Sequence, residues 1–202
     1  MVRGRPRKTD PDCALASAMQ VFWTKGFEGT SLADLVEATG MAKPSLYATF
    51  GDKEALYTKA LTRYMEGVGD EILGRIGSDD RPIRAVMRSY LEDVADRATD
   101  RTGPCGCFVV NSIVDAENLP EQTRRMMDLA KEKRSAIMVQ VFDKAKARGD
   151  LPSSSSSMAL ADYFWGQTLA IALMARSGES RDSIGRFIDL ALAVLGPEPV
   201  SG

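Results

Sequence analysis

SLADLVEATGMAKPSLYATF, residues 31–50, decides the fold of this chain. Ser31 with Asp34 three residues on resembles a capping box in which Asp replaces Glu, so a helix starts here. Leu32, Leu35 and Val36 give it one apolar face, and Gly40 ends it. Lys43 to Phe50 reads as a second short helix, with Pro44 tolerable because it lies in the first turn. Two short helices joined by a tight glycine turn make the helix-turn-helix pattern. Leu32, Leu35, Val36, Met41, Leu46 and Phe50 can hold the pair at a fixed angle. Lys43, Ser45, Tyr47, Ala48 and Thr49 are left over for the outer surface. An ordinary helical hairpin shares this bare pattern, so the pattern alone does not decide function.

Outward from this unit the chain continues as helix, with no period-2 alternation and no Asn-Gly or Asp-Gly hairpin turn. Asp10 caps a first helix, Pro11 opens it, and Gly26 stops it. Asp52 caps a fourth helix that is expected to run unbroken towards Ile76. A fifth spans Arg81 to Thr99, a short sixth Cys107 to Val114, and a long seventh Pro120 to about Arg148. Gly149 to Ser157 reads as a mobile Gly/Pro/Ser linker. The eighth helix spans Met158 to Arg176 and the ninth Arg181 to Leu195. The expected fold class is all-α: an N-terminal three-helix domain carrying the helix-turn-helix over residues 1–62 and a six-helix C-terminal domain over residues 63–202. The boundary falls inside the fourth helix with no flexible linker, so the two parts should move together.

Composition narrows the chemistry. The 202 residues contain no His, which excludes an imidazole base, a Ser/His/Asp triad, a Cys/His pair and a His-ligated metal. Three Cys are too few for a four-thiolate zinc site. No nucleophile–base pair stands at a recognisable spacing, so no enzyme activity is expected. No cofactor is expected either. Met1 to Asp10 is basic and has no apolar run behind it, unlike a signal peptide. No apolar stretch approaches the roughly 20 residues of a membrane span, so a cytoplasmic location is the expectation. The net charge of −2 hides an asymmetry. Residues 1–64 carry nine Lys/Arg against seven Asp/Glu, and the remainder carries 17 against 21. A small positive end on an acidic body permits DNA binding through one face.

The run FWTKGFEGTSLADLVEATGMAKPSLYATFGDKEALYTKAL, Phe22 to Leu61, resembles the DNA-binding domain of the tetracycline-repressor (TetR) family of bacterial regulators. The matching pieces are Phe22, Gly26 and Phe27; Thr30-Ser31; Gly40-Met41; Lys43-Pro44-Ser45-Leu46-Tyr47; Phe50; and Asp52-Lys53-Glu54-Ala55-Leu56. The likeness covers about the first third directly. Beyond it, Gly106-Cys107-Phe108-Val109-Val110-Asn111-Ser112 resembles the opening of the sixth helix in one subgroup. The resemblance implies a homodimer whose third helices enter the major groove of a palindromic double-stranded operator. It also implies a repressor that a small-molecule effector releases, with residues 1–62 as the DNA-binding domain and residues 63–202 as the ligand-binding and dimerisation domain.

The same likeness assigns roles by position. Tyr47 and Lys53 would contact phosphates, with Thr30 and Ser31 at the start of the second helix able to do the same. Lys43, Pro44 and Ser45 lead into the groove. Lys43 can read guanine, Ser45 either base type, and the Ala48 or Thr49 methyl a thymine methyl. Only Lys43 is a strong donor on this helix, so shape readout and the arm carry more of the recognition. Arg3, Arg5 and Arg7, interleaved with Gly and Pro, suit a narrow minor groove, although a solvated tail is the plain reading of the charge run.

The eighth helix is apolar on nearly every side, which implies burial all round, by a core on one face and a subunit interface on the other. An effector pocket is expected between the fifth, sixth, seventh and eighth helices. Its candidate lining is Met87, Tyr90, Phe108, Asn111, Ser112, Met126, Met138, Phe164, Trp165 and Gln167. No charged group is obviously internal, so a largely apolar effector without strong charge is expected. Cys105 and Cys107 flank Gly106 at a helix start, which offers an alternative: thiol or soft-metal sensing. Simple packing of Cys107 is the plainer reading.

Overall fold

A computed structural model describes residues 10–196. Every regular element among them is helical. Asp10 Oδ1 accepts the Asp12 N–H at 3.1 Å and caps α1 (Pro11–Lys25). Ser31 and Asp34 form the full reciprocal capping box of α2 (Leu32–Thr39). Gly40 ends α2 in the left-handed region at φ 65°, where a side chain would be strained. The helix α3 (Lys43–Phe50) follows, and Asp52 caps α4 (Lys53–Tyr64) through the Ala55 N–H at 2.8 Å.

The fourth helix is not unbroken. Met65–Gly69 is a π-turn, and α5 (Asp70–Ser78) resumes the α-helix beyond it. Gly67 and Gly69 inside five residues weaken the α-helical ladder here, and a π-bulge is the alternative the backbone takes. Then come α6 (Ile83–Thr99), α7 (Phe108–Val114), α8 (Glu121–Arg148), α9 (Ser157–Arg176) and α10 (Arg181–Ala191), closed by a 3-10 turn at Leu192–Leu195. The serine run is more than a loop. Ser156 Oγ accepts the Ala159 N–H and caps α9, and Ser157 Oγ donates to Asp143 Oδ1 at 2.7 Å.

Two apolar cores form. One joins α1–α4 and takes in Phe108 and Leu119 from beyond the expected domain boundary. The other joins α5, α6, α8, α9 and α10 around Met87, Leu91, Phe142 and Phe164. Within one protomer α9 is not buried all round: Met158 and Leu173 are exposed, as are Leu190 and Val194 from α10 and the turn after it. Among the described residues no helix is long and apolar enough to cross a membrane.

Candidate functional site

Two side chains seat α3. Leu46 and Phe50 are buried against Leu35 and Met41, and the remaining six residues of the helix, Lys43, Pro44, Ser45, Tyr47, Ala48 and Thr49, are all exposed. The joint between α2 and α3 is fixed by a residue that periodicity does not single out. Buried Thr39 donates to Leu35 O at 2.6 Å and accepts the Met41 N–H at 3.2 Å. A hydroxyl at the last position of α2, next to the glycine, is the signal that marks it.

The outer face carries mostly uncommitted donors. Lys43 Nζ lies 5.6 Å from the Tyr47 ring centroid, so the two share one patch. The Thr49 hydroxyl donates back to Ser45 O at 2.8 Å. Lys53 Nζ sits 4.5 Å above the Phe27 ring. Lys59, another cation beside α3, donates to Phe50 O at 3.0 Å; its role there depends on the α3–α4 packing. Ser31 is exposed but held by Asp34. Lys25 pairs with Asp34 at 2.6 Å, and with the Ser31 N–H and O–H it holds the Asp34 carboxyl down to about 2. Thr30 does not reach this face. It is buried, and its hydroxyl donates to Gly26 O at 2.7 Å. Arg3, Arg5 and Arg7 lie outside the described residues.

Behind α3, α4 connects this face to the rest of the protein. The Tyr57 and Ser112 hydroxyls are 2.8 Å apart, Thr58 and Thr123 hydroxyls 2.7 Å, and Thr62 Oγ1 donates to Met126 Sδ at 3.5 Å. Phe108 stacks on Trp23 and meets Tyr57 and Tyr64 edge-on. Asn111 donates to Trp23 O at 3.3 Å. Phe108, Asn111, Ser112 and Met126 therefore belong to the joint between α1, α4, α7 and α8 rather than to a pocket.

A cavity of about 470 Å³ lies between the end of α4, the π-turn, α5, α6, the start of α7, α8 and α9. That is within the size of small-molecule sites. Of the residues expected to line it, Tyr90 and Trp165 do. Met87, Met138 and Phe164 are closed into the second core, with Phe164 stacked on Phe142, and Gln167 is not on the wall. The extra wall comes from the π-turn, whose Met65, Val68 and Gly69 face the space. The interior is not free of charge. Arg134 lines it, half-buried, with its Cζ 3.4 Å from the Trp165 ring centroid.

The two thiols open onto different spaces. Half-buried Cys107 lines the cavity and accepts from the Tyr64 hydroxyl at 3.5 Å. Exposed Cys105 lines an outer groove with Arg176 and Arg181.

Residues 14–60 match the family model described as bacterial regulatory proteins, tetR family, and residues 82–191 match a tetracyclin repressor-like C-terminal domain. The chain is 30% identical over 198 residues to the HTH-type transcriptional repressor ComR of Escherichia coli K12, covering 98% of this chain and 94% of that one. It is 38% identical over 114 residues to the E. coli K12 repressor BdcR, across 55% of this chain and 56% of that one. Among solved structures, a cysteine mutant of the TetR family regulator CifR, complexed with 26-base-pair operator DNA, superimposes with a TM-score of 0.81 at 30% identity. That match covers 94% of this chain and 98% of the other.

Proposed function

This chain belongs to the tetR family of bacterial transcriptional regulators, and on that premise we propose that it is a dimeric repressor released from its operator by a small molecule. One observation carries the reading. The helix that seats α3 ends in the cavity wall: α4 begins at Lys53 beside the exposed face and closes at Tyr64, which lines the cavity. A ligand that reshapes the wall therefore acts on the element that sets the angle of α3.

In this reading residues 1–62 bind DNA and 63–202 sense and dimerise, with Tyr47 and Lys53 on phosphates and Lys43 and Ser45 at base edges. Exposed Met158, Leu173, Leu190 and Val194 on the outer side of α9–α10 suit a two-fold helical interface. The absence of His fits a protein that does no bond chemistry. Footprinting of the DNA beside the chain's own gene tests the proposal. The expected result is a palindromic protected site; protection without sequence preference would overturn it.

A further inference from the structure

We propose that the cavity receives an organic anion: an apolar body ending in one carboxylate, with the carboxylate seated on Arg134. This rests on the reading of the cavity as the effector site and names the chemistry of its occupant.

The charge of the wall is one-sided. Arg97, Arg124, Lys131, Lys133 and Arg134 line the cavity against two carboxylates, Asp70 and Asp128. Three of the cations are already engaged. Lys133 donates to Asp70 at 2.7 Å, Arg97 to Glu71 at 3.2 Å, and Arg124 to Leu119 O at 2.6 Å. Lys131 is exposed. Arg134 differs from all of them. It is half-buried, and among the described residues it makes no ion pair or hydrogen bond. Asp162 on α9 attracts it only at longer range. Burial pulls its guanidinium below the usual arginine range, yet it stays charged.

A desolvated cation without a counter-ion is costly, and the cost is relieved when an anion binds it. Trp165 holds the guanidinium carbon 3.4 Å from its ring centroid, which restrains the donor group before a ligand arrives. A planar carboxylate matches the guanidinium edge with two parallel hydrogen bonds. The Tyr90 hydroxyl donates to Thr168 Oγ1 at 2.9 Å and Thr168 donates in turn to Phe164 O, so both protons are committed and Arg134 is the polar anchor of this part of the wall. Met65, Val68, Leu73, Val109, Met127 and Leu169 supply the surface for the apolar body.

Calorimetric titration of the full chain, without DNA, with decanoate, 1-decanol and decylamine tests this. Decanoate is expected to bind about tenfold or more tightly than 1-decanol, the worth of a charge-assisted bidentate pair. Arg134→Gln should remove that advantage and leave 1-decanol unchanged, and Arg134→Lys should fall between. Equal affinities for acid and alcohol, preference for the amine, or an acid advantage that survives Arg134→Gln would each overturn the proposal. If Arg134→Gln does not melt cooperatively, the wild-type comparison decides alone. Anion binding with no effect on operator affinity would sink the effector reading and leave this one standing. Operator release by neutral compounds with no acid preference would do the reverse.

Discussion

The Tyr57 hydroxyl lies 2.8 Å from Ser112 Oγ, so α4 and α7 are tied at the buried joint between the exposed face of α3 and the cavity. Ser112 also donates to Phe108 O at 2.8 Å, so its proton stays bonded if the tyrosine hydroxyl is lost. Tyr57→Phe should therefore cost only about 1 kcal/mol of stability, measured by urea unfolding. It should also weaken the coupling between effector and operator binding. Retention of full effector-driven release in the variant would show that the joint does not transmit the change.

Leu46 is one of only two anchors of α3. Leu46→Ala should destabilise the protein by about 2–5 kcal/mol. Operator affinity should fall with it, because the six exposed residues lose their fixed angle. Thermal melting and electrophoretic mobility shift on the same preparation test both halves; wild-type affinity in a destabilised variant would refute the link.

Lys43 and Lys53 should separate in their effects. Lys43→Gln is expected to relax base preference at one operator position by about 1–3 kcal/mol while the fold is unchanged. Lys53→Ala should weaken binding to all sequences and reduce the salt slope by about one. Identical losses on matched and mismatched operators for both variants would contradict the assignment.

The Asp34 carboxyl, held to about 2 by Lys25 and Ser31, makes part of the helix-turn-helix pH-dependent. Its folded value lies below the unfolded value of about 3.9. The stabilisation is therefore complete above about pH 4 and is lost as pH falls towards 2. Asp34→Asn should flatten the acid limb of the stability curve in that window. A limb unchanged by the substitution would show that other carboxylates set it.

How much of this was legible depends on how local the signal is. Asp10, Ser31, Gly40 and Asp52 mark helix ends in the sequence because caps act within four residues. Leu35, Leu46 and Phe50 declare themselves by helical spacing. Ser157 hid in a serine run, since only its Asp143 partner from α8 separates it from loop residues.

The sequence by itself determined the all-helical class, the helix-turn-helix with Lys43, Ser45, Tyr47, Ala48 and Thr49 outward, and the family, because these depend on neighbours along the chain. Tertiary structure alone decided the rest. Phe108 and Ser112 went to the joint because α4 and α1 cover them. Arg134 looks like one more surface charge on a polar helix until α9 brings Trp165 beneath it. Burial of a charge is a property of what packs against it, and no local pattern in α8 encodes that neighbour.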